Sequence, residues 1–281
     1  MTTLEVKNIG PIKKIQLELN KVNVFIGPQS SGKSTIAKLI SYCTWVEKDV
    51  ATSQSLKTYQ DNPLYFREHL ENFHKMKGYF RKDSFIYYKS DVIEIVWENE
   101  IGSLKWIDQF AYKRSKISYI PSERNMIILP EARKVEFGNT NVRSFLFDWF
   151  DARKKYPKDN KLSILNLDVD YYYVDGNTNE EDHIKGLNDG KEYDILLSNA
   201  SSGLQSITPL IAMIEYLTKW IYDEDNTSFE RAEKMIKVNS YLIDEKVIKP
   251  FYNLDTINSK DKKEFLEKIS ERLKENDADV K

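Results

Sequence analysis

At 281 residues the chain is long enough for one large domain or a domain with a sizeable insertion, and 41% hydrophobic residues suffice to fill a core. Charged residues reach 31%, but 42 Lys and Arg against 44 Asp and Glu leave a formal net charge of −2, which excludes a global basic field and leaves room only for local patches. The single cysteine, Cys43, excludes an internal disulfide; with a polar-alternating start and no run of membrane-spanning length, it points to a cytoplasmic protein that meets no membrane.

Residues 4–9 and 12–19 alternate apolar and polar side chains about the turn Gly10-Pro11, which predicts a hairpin. The apolar run 22–26 (VNVFI) then reads as a strand leading into GPQSSGKST, residues 27–35. Gly27, Gly32, Lys33 and Ser34 fit G-x-x-x-x-G-K-[ST], a phosphate-binding loop. Glycines let successive amides curl round an anion, and a helix beginning near Lys33 aims its unpaired amides and positive dipole end at the same point. The candidate phosphate cradle is therefore Gly27, Pro28, Gln29, Ser30, Ser31, Gly32, Lys33, Ser34 and Thr35. Lys33 would neutralise the terminal phosphates and the Ser34 hydroxyl would bind Mg²⁺, while Thr35 continues a helix whose Ile36, Leu39 and Ile40 face a sheet.

Downstream, residues 53–80 turn helical and charged, and 85–97 read as a strand pair with its turn at 89–91. Residues 117–120 form a short buried strand running into Pro121. Phe145, Leu146, Trp149 and Phe150 recur at helical spacing within an amphipathic insert, 131–156. Strand chemistry returns at 161–174 and 193–198, with Asn188-Asp189-Gly190 as a turn. Ser201-Ser202-Gly203 then opens a helix carrying Leu204, Ile207, Leu210, Ile211 and Ile214 inward. Its serines are either a helix cap or, with Gly203 and Gln205, a second anion site.

With these two landmarks in order, the chain resembles the ATP-binding cassette (ABC) class of P-loop ATPases. The likeness is to the branch holding chromosome-maintenance, recombination-repair and OLD-like members and small bacterial AAA-type ATPases. It is close over residues 1–45 and 193–218. It implies an α/β fold, a P-loop NTPase of the ABC ATPase-head type with amino-terminal antiparallel strands and an inserted helical and β arm. The corresponding divisions are 1–50 for the hairpin and P-loop, 51–160 for the arm, 161–223 for the strands and signature helix, and 224–281 for a carboxy-terminal helical region. It further implies ATP and Mg²⁺ as cofactors and an ATP-sandwiched homodimer, with Lys33 of one chain and Ser202 of its partner sharing each nucleotide. ISYIPSERN, residues 117–125, resembles a strand-end motif at the place of the Q-loop, which would put Glu123 or Arg124 near Mg²⁺ or the phosphates. An ion pair between Glu123 and Arg124 closing a loop is the other reading.

The same resemblance calls for a Walker B strand ending in acidic residues after the signature helix, and a later switch His. His69, His74 and His183 all precede the signature. Asp244 as Mg²⁺ ligand and Glu245 as catalytic base are the nearest acids, but Leu242, Ile243, Val247 and Ile248 suit a helix face better. The sequence therefore reads as stopping short of the catalytic acid. Two functions follow as expectations: ATP binding with hydrolysis, or a nucleotide-binding interaction module or truncated ATPase with little turnover. A nuclease or other effector subunit is an implied partner, and the net charge lends nucleic acid no support.

Overall fold

The computed structural model describes residues 1–113, 116–129, 132, 138–176, 181–188 and 190–220. Two compact units divide the chain, Met1–Asn226 and Thr227–Lys281, and the second lies wholly outside the described residues.

The first layer is a five-stranded antiparallel sheet. Strands β1 (Thr2–Ile9), β2 (Ile12–Leu19), β3 (Phe80–Lys89), β4 (Ile93–Glu98) and β5 (Ile101–Trp106) lie in the order β2-β1-β3-β4-β5. Because side chains alternate across a strand, register turns the alternating sequence into an apolar row. Leu17, Leu4, Tyr88, Ile95 and Leu104 stand opposite one another across all five strands. Helix α1 (Lys33–Ser53) covers that row with Ile36, Leu39, Cys43, Val46 and Val50, spaced three or four apart on one face. Ile40, expected inward, is half-buried against the same core. Short helices α2 (Lys57–Asp61) and α3 (Tyr65–Phe73) close the layer with Tyr59, Phe66 and Leu70.

A second core packs α4 (Asn141–Arg153) and α5 (Ser202–Glu215) with an antiparallel sheet ordered β6-β7-β8-β9. Its strands are β6 (Leu162–Ser163), β7 (Val169–Val174), β8 (Glu181–Asn188) and β9 (Lys191–Leu196). Phe145, Leu146 and Trp149 of α4 are buried as their spacing predicts. Arg153 and Asp182 are buried together, 3.6 Å apart, and the Tyr171 hydroxyl donates to Asp182 at 2.6 Å. Arg153 also lies between the rings of Phe150 and Tyr173. Removing one partner of such a buried pair leaves an uncompensated charge, which is how it ties α4 to β7 and β8.

Four expectations change. Both sheets are antiparallel throughout the described residues, and residues 22–26 join neither. Reciprocal bonds between Asn20 and Asn23 form a turn directly after β2, and Val22, Val24 and Ile26 are 78%, 77% and 92% exposed. Residues 117–120 are extended and half-buried but unladdered, held instead by side chains. Lys116 and Ser118 bond the Asp148 carboxylate at 2.6 and 3.1 Å, and Tyr119 meets the His74 ring edge-on. The buried stripe of α5 is Thr208, Pro209, Ala212 and Met213, while Leu204, Ile207 and Ile211 are partly buried and Ile214 faces outward. Finally, the region expected as one arm divides, its residues up to Trp106 joining the first core and those from Ile127 the second.

His74 is buried among Tyr42, Phe73 and Tyr119, with neither ring nitrogen hydrogen-bonded among the described residues. Burial, then the positive charge of Lys38, pushes its pKa down to about 3. The folded state thus keeps the ring neutral where the unfolded chain, near 6.5, would protonate it. A depressed folded pKa gives stability that is whole above 6.5 and lost progressively as pH falls toward 3. His74→Phe keeps an aromatic ring and removes the titration. Thermal melts from neutral pH downward should show the variant losing less stability than wild type, with a gap on the order of 2 kcal/mol by about pH 4.5.

Candidate functional site

The phosphate loop is seated on the hairpin turn. Gly32 adopts a φ of 97°, and a Cβ there would meet Ile12 Cγ1 at 2.9 Å and Pro11 Cγ at 3.2 Å. Only glycine fits that backbone and that contact. Gly32 serves as N-cap of α1 without a side-chain cap, and the first helical bond runs from the Ile36 amide to the Gly32 carbonyl. No acidic residue lies in the first turn. The amides at the helix start therefore have neither a side-chain cap nor a first-turn carboxylate. Ser30 also takes a left-handed φ of 62°, which tightens the loop.

Lys33 folds back into this loop. Its ammonium donates to the carbonyls of Gly27 at 2.8 Å and Pro28 at 2.5 Å, and to Ser31 Oγ at 3.4 Å. The positive charge is therefore held over the loop that the motif assigns to phosphate. Gln29, Ser30, Ser31 and Ser34 are exposed, whereas Thr35 is buried.

The 3-10 helix Ser122–Ile128 bridges the two cores. Glu123 lies within electrostatic reach of Lys75 and of Lys38 on α1. Burial pushes its carboxyl up, but the Ser122 hydroxyl bond, a backbone bond and those two cations outweigh it and hold the pKa below the ordinary range. Burial also lowers Lys38, opposed by the attraction of Glu123. Arg124 points the other way, donating from Nε to the Ser206 carbonyl of α5 at 2.9 Å. The two side chains do not pair with each other: Arg124 is tied to α5, while Glu123 accepts from the Ser122 hydroxyl. Lys38 was not singled out by sequence.

Ser201 caps α5, its hydroxyl accepting from the Leu204 amide at 3.4 Å. Gln205 spends its amide on the Ser198 and Ala200 carbonyls at 2.8 and 3.0 Å, closing the turn that precedes the helix. Ser202 and Gly203 are exposed. This group sits on the second core, the phosphate loop on the first. Asp244 and Glu245 lie outside the described residues. The three histidines serve packing and surface networks: His69 meets the Tyr42 hydroxyl and stacks on Trp45, His74 is buried, and His183 bridges Asp194 and Glu181 on β8.

No protein-family model, curated protein or solved structure matches the chain. Among the described residues no helix is long and apolar enough to cross a membrane.

The Gly32 seat gives a direct test. Gly32→Ala forces a side chain into a left-handed backbone against Ile12, a strain of about 1–2 kcal/mol before any clash. The melting temperature should fall, and chemical shifts of Ile12 should move with those of the loop. An unchanged melt and spectrum would mean that the loop is not seated there.

Proposed function

We propose that residues 27–35 bind the phosphates of ATP with Mg²⁺, in a P-loop nucleotide-binding protein of the ABC ATPase kind. The observation that carries this reading is the start of α1: an uncapped helix with no acid in its first turn, preceded by a left-handed Gly32 and crowned by the Lys33 ammonium. An anion entering there would take over the contacts Lys33 now makes to its own carbonyls. The bound ion would add charge neutralisation at the phosphates, with Ser34 as its protein ligand. Nucleotide would also gain the dipole of a 21-residue helix.

One observation favours binding over turnover. The loop rests on a hairpin and α1 alone, since residues 22–26 pair with no strand among the described residues. Positioning of an attacking water demands a rigid surround. The nucleotide-binding interaction module is therefore the second reading, and both share the same loop. The exposed Ser202 and Gly203 at the start of α5 are the surface through which a second copy would contact the nucleotide in an ATP-sandwiched dimer.

Calorimetric titration with Mg-ATP tests the loop. Lys33→Ala should weaken binding roughly tenfold to a hundredfold, the worth of a charge-assisted bond, while the melting temperature of the free protein holds. Equal affinity for both proteins would remove residues 27–35 as the site. Sedimentation tests the dimer. Saturating Mg-ATP should shift wild type toward dimer by mass action, and Ser202→Arg should stay monomeric while still binding nucleotide. A wild type that remains monomeric, or a variant that dimerises equally, would reduce Ser201-Ser202-Gly203 to a helix cap.

A further inference from the structure

We propose that a second copy of this chain pairs with the open edge of the first sheet, β2 against β2 in antiparallel register, joining two five-stranded sheets into one of ten strands. β2 ends the order β2-β1-β3-β4-β5 and pairs with β1 alone. No proline interrupts its eight residues. Among the described residues its main chain takes no main-chain partner besides β1, and one side chain reaches it, the Asn20 amide at 3.5 Å from the Glu18 carbonyl. An edge of this length with amides and carbonyls unpaired is a template for another strand.

The side chains of the strand are unfinished in the same way. Lys14, Gln16 and Glu18 are exposed, whereas Ile15, Leu17 and Leu19 are only half-buried against the first core. Across β1, Lys14 stands opposite a like charge, Lys7, and Glu18 stands opposite Thr3. Lys7 itself pairs with Glu5 at 2.9 Å. Neither Lys14 nor Glu18 has a salt bridge among the described residues. One face of the edge therefore carries an uncompensated cation and, four residues on, an uncompensated anion.

A two-fold axis selects the register. Antiparallel strands related by such an axis keep each face on its own side, so odd residues meet odd and even meet even. Centred on Gln16, the pairing sets Lys14 opposite the partner's Glu18 and Glu18 opposite the partner's Lys14, the favourable arrangement for directly opposed residues. Centred instead on Ile15 or Leu17, it would leave Glu18 opposite Ile12 or Lys14 opposite Asn20. The Gln16 register also puts Ile15 opposite the partner's Leu17 on the apolar side. The row Leu104, Ile95, Tyr88, Leu4, Leu17 then runs on into the partner's adjacent row, Ile15, Val6, Ile86 and Trp97. Ile15 and Leu17 lose the water they now touch. Any extended strand satisfies the main-chain groups, but a second copy satisfies both charges by one symmetry operation.

An interface of one strand edge lies at the weak end of the size range, so the contact fills at high protein concentration and needs no nucleotide. Sedimentation velocity of the full chain in nucleotide-free buffer, over a rising concentration series, tests it. Wild type should be monomeric at the dilute end and move toward dimer at the concentrated end. Lys14→Glu and Glu18→Lys should each weaken self-association at least about tenfold, since each turns both symmetric pairs into like charges. Mixing the two variants should restore association as a heterodimer, in which every opposed pair again has opposite charge. Both positions are exposed, and Lys14→Glu also relieves the repulsion from Lys7, so melting temperatures should hold. Hydrogen exchange should show amides within 13–19 gaining protection as wild type is concentrated. Ser202→Arg should self-associate as wild type does in this nucleotide-free series, which separates the contact from the nucleotide-dependent one. The proposal is overturned if wild type stays monomeric throughout, if mixing the charge variants restores nothing, or if protection rises elsewhere while 13–19 stay unchanged. No varied edge residue belongs to the phosphate loop, so failure here leaves the ATP reading intact, and the reverse also holds.

Discussion

The contact of Gly32 with Pro11 and Ile12 is the constraint from which the first half of the molecule follows. It fixes where α1 begins, and from that point the three-or-four spacing of Ile36, Leu39, Cys43, Val46 and Val50 lays the helix along the apolar row of the sheet. A different residue at 32 would lift the helix start off the turn, and the row would lose its cover at that end. The same contact fixes one end of a glycine- and serine-containing stretch against the hairpin turn.

Residues 116–124 run between the two cores and contact both. Tyr119 meets the buried His74 ring of the first, Lys116 and Ser118 bond the Asp148 carboxylate of α4, and Arg124 donates to the Ser206 carbonyl of α5. A stretch of nine residues thus supplies an aromatic contact on one side and polar bonds on the other.

Much of this was legible in the residues. The alternation in 4–9 and 12–19 and the spacing of 145, 146 and 149 each carry one period and one plausible face, and these became the hairpin and the helix that their patterns predict. Residues 22–26 were not legible, because an apolar run bounded by turns looks the same whether or not another strand pairs with it. The face of α5 was equally hidden. A helix with apolar residues all round leaves the choice of buried stripe to its neighbours, here α4 and the 3-10 helix, and the stripe settled one position later. Strands β5 and β8 were missed because glycine or acid stands at buried positions (Gly102, Asp182, Gly186) while Ile101 and Leu187 face outward, so hydropathy does not alternate with burial. At the candidate site, the need for glycine at 32 was legible because a left-handed backbone against Ile12 admits no side chain. Glu123 and Arg124 could not be assigned, since which helix each faces is decided by residues more than forty positions away.

Cys43 has a use that packing alone does not suggest. It is the single thiol in the sequence, fully buried on the sheet-facing side of α1, and burial raises its pKa so that the reactive thiolate is scarce. A maleimide or disulfide reagent can reach it only when α1 separates from the five-stranded sheet. The rate of labelling in native buffer is therefore a clock for the opening of that half alone, since the second core carries no thiol to confuse the signal.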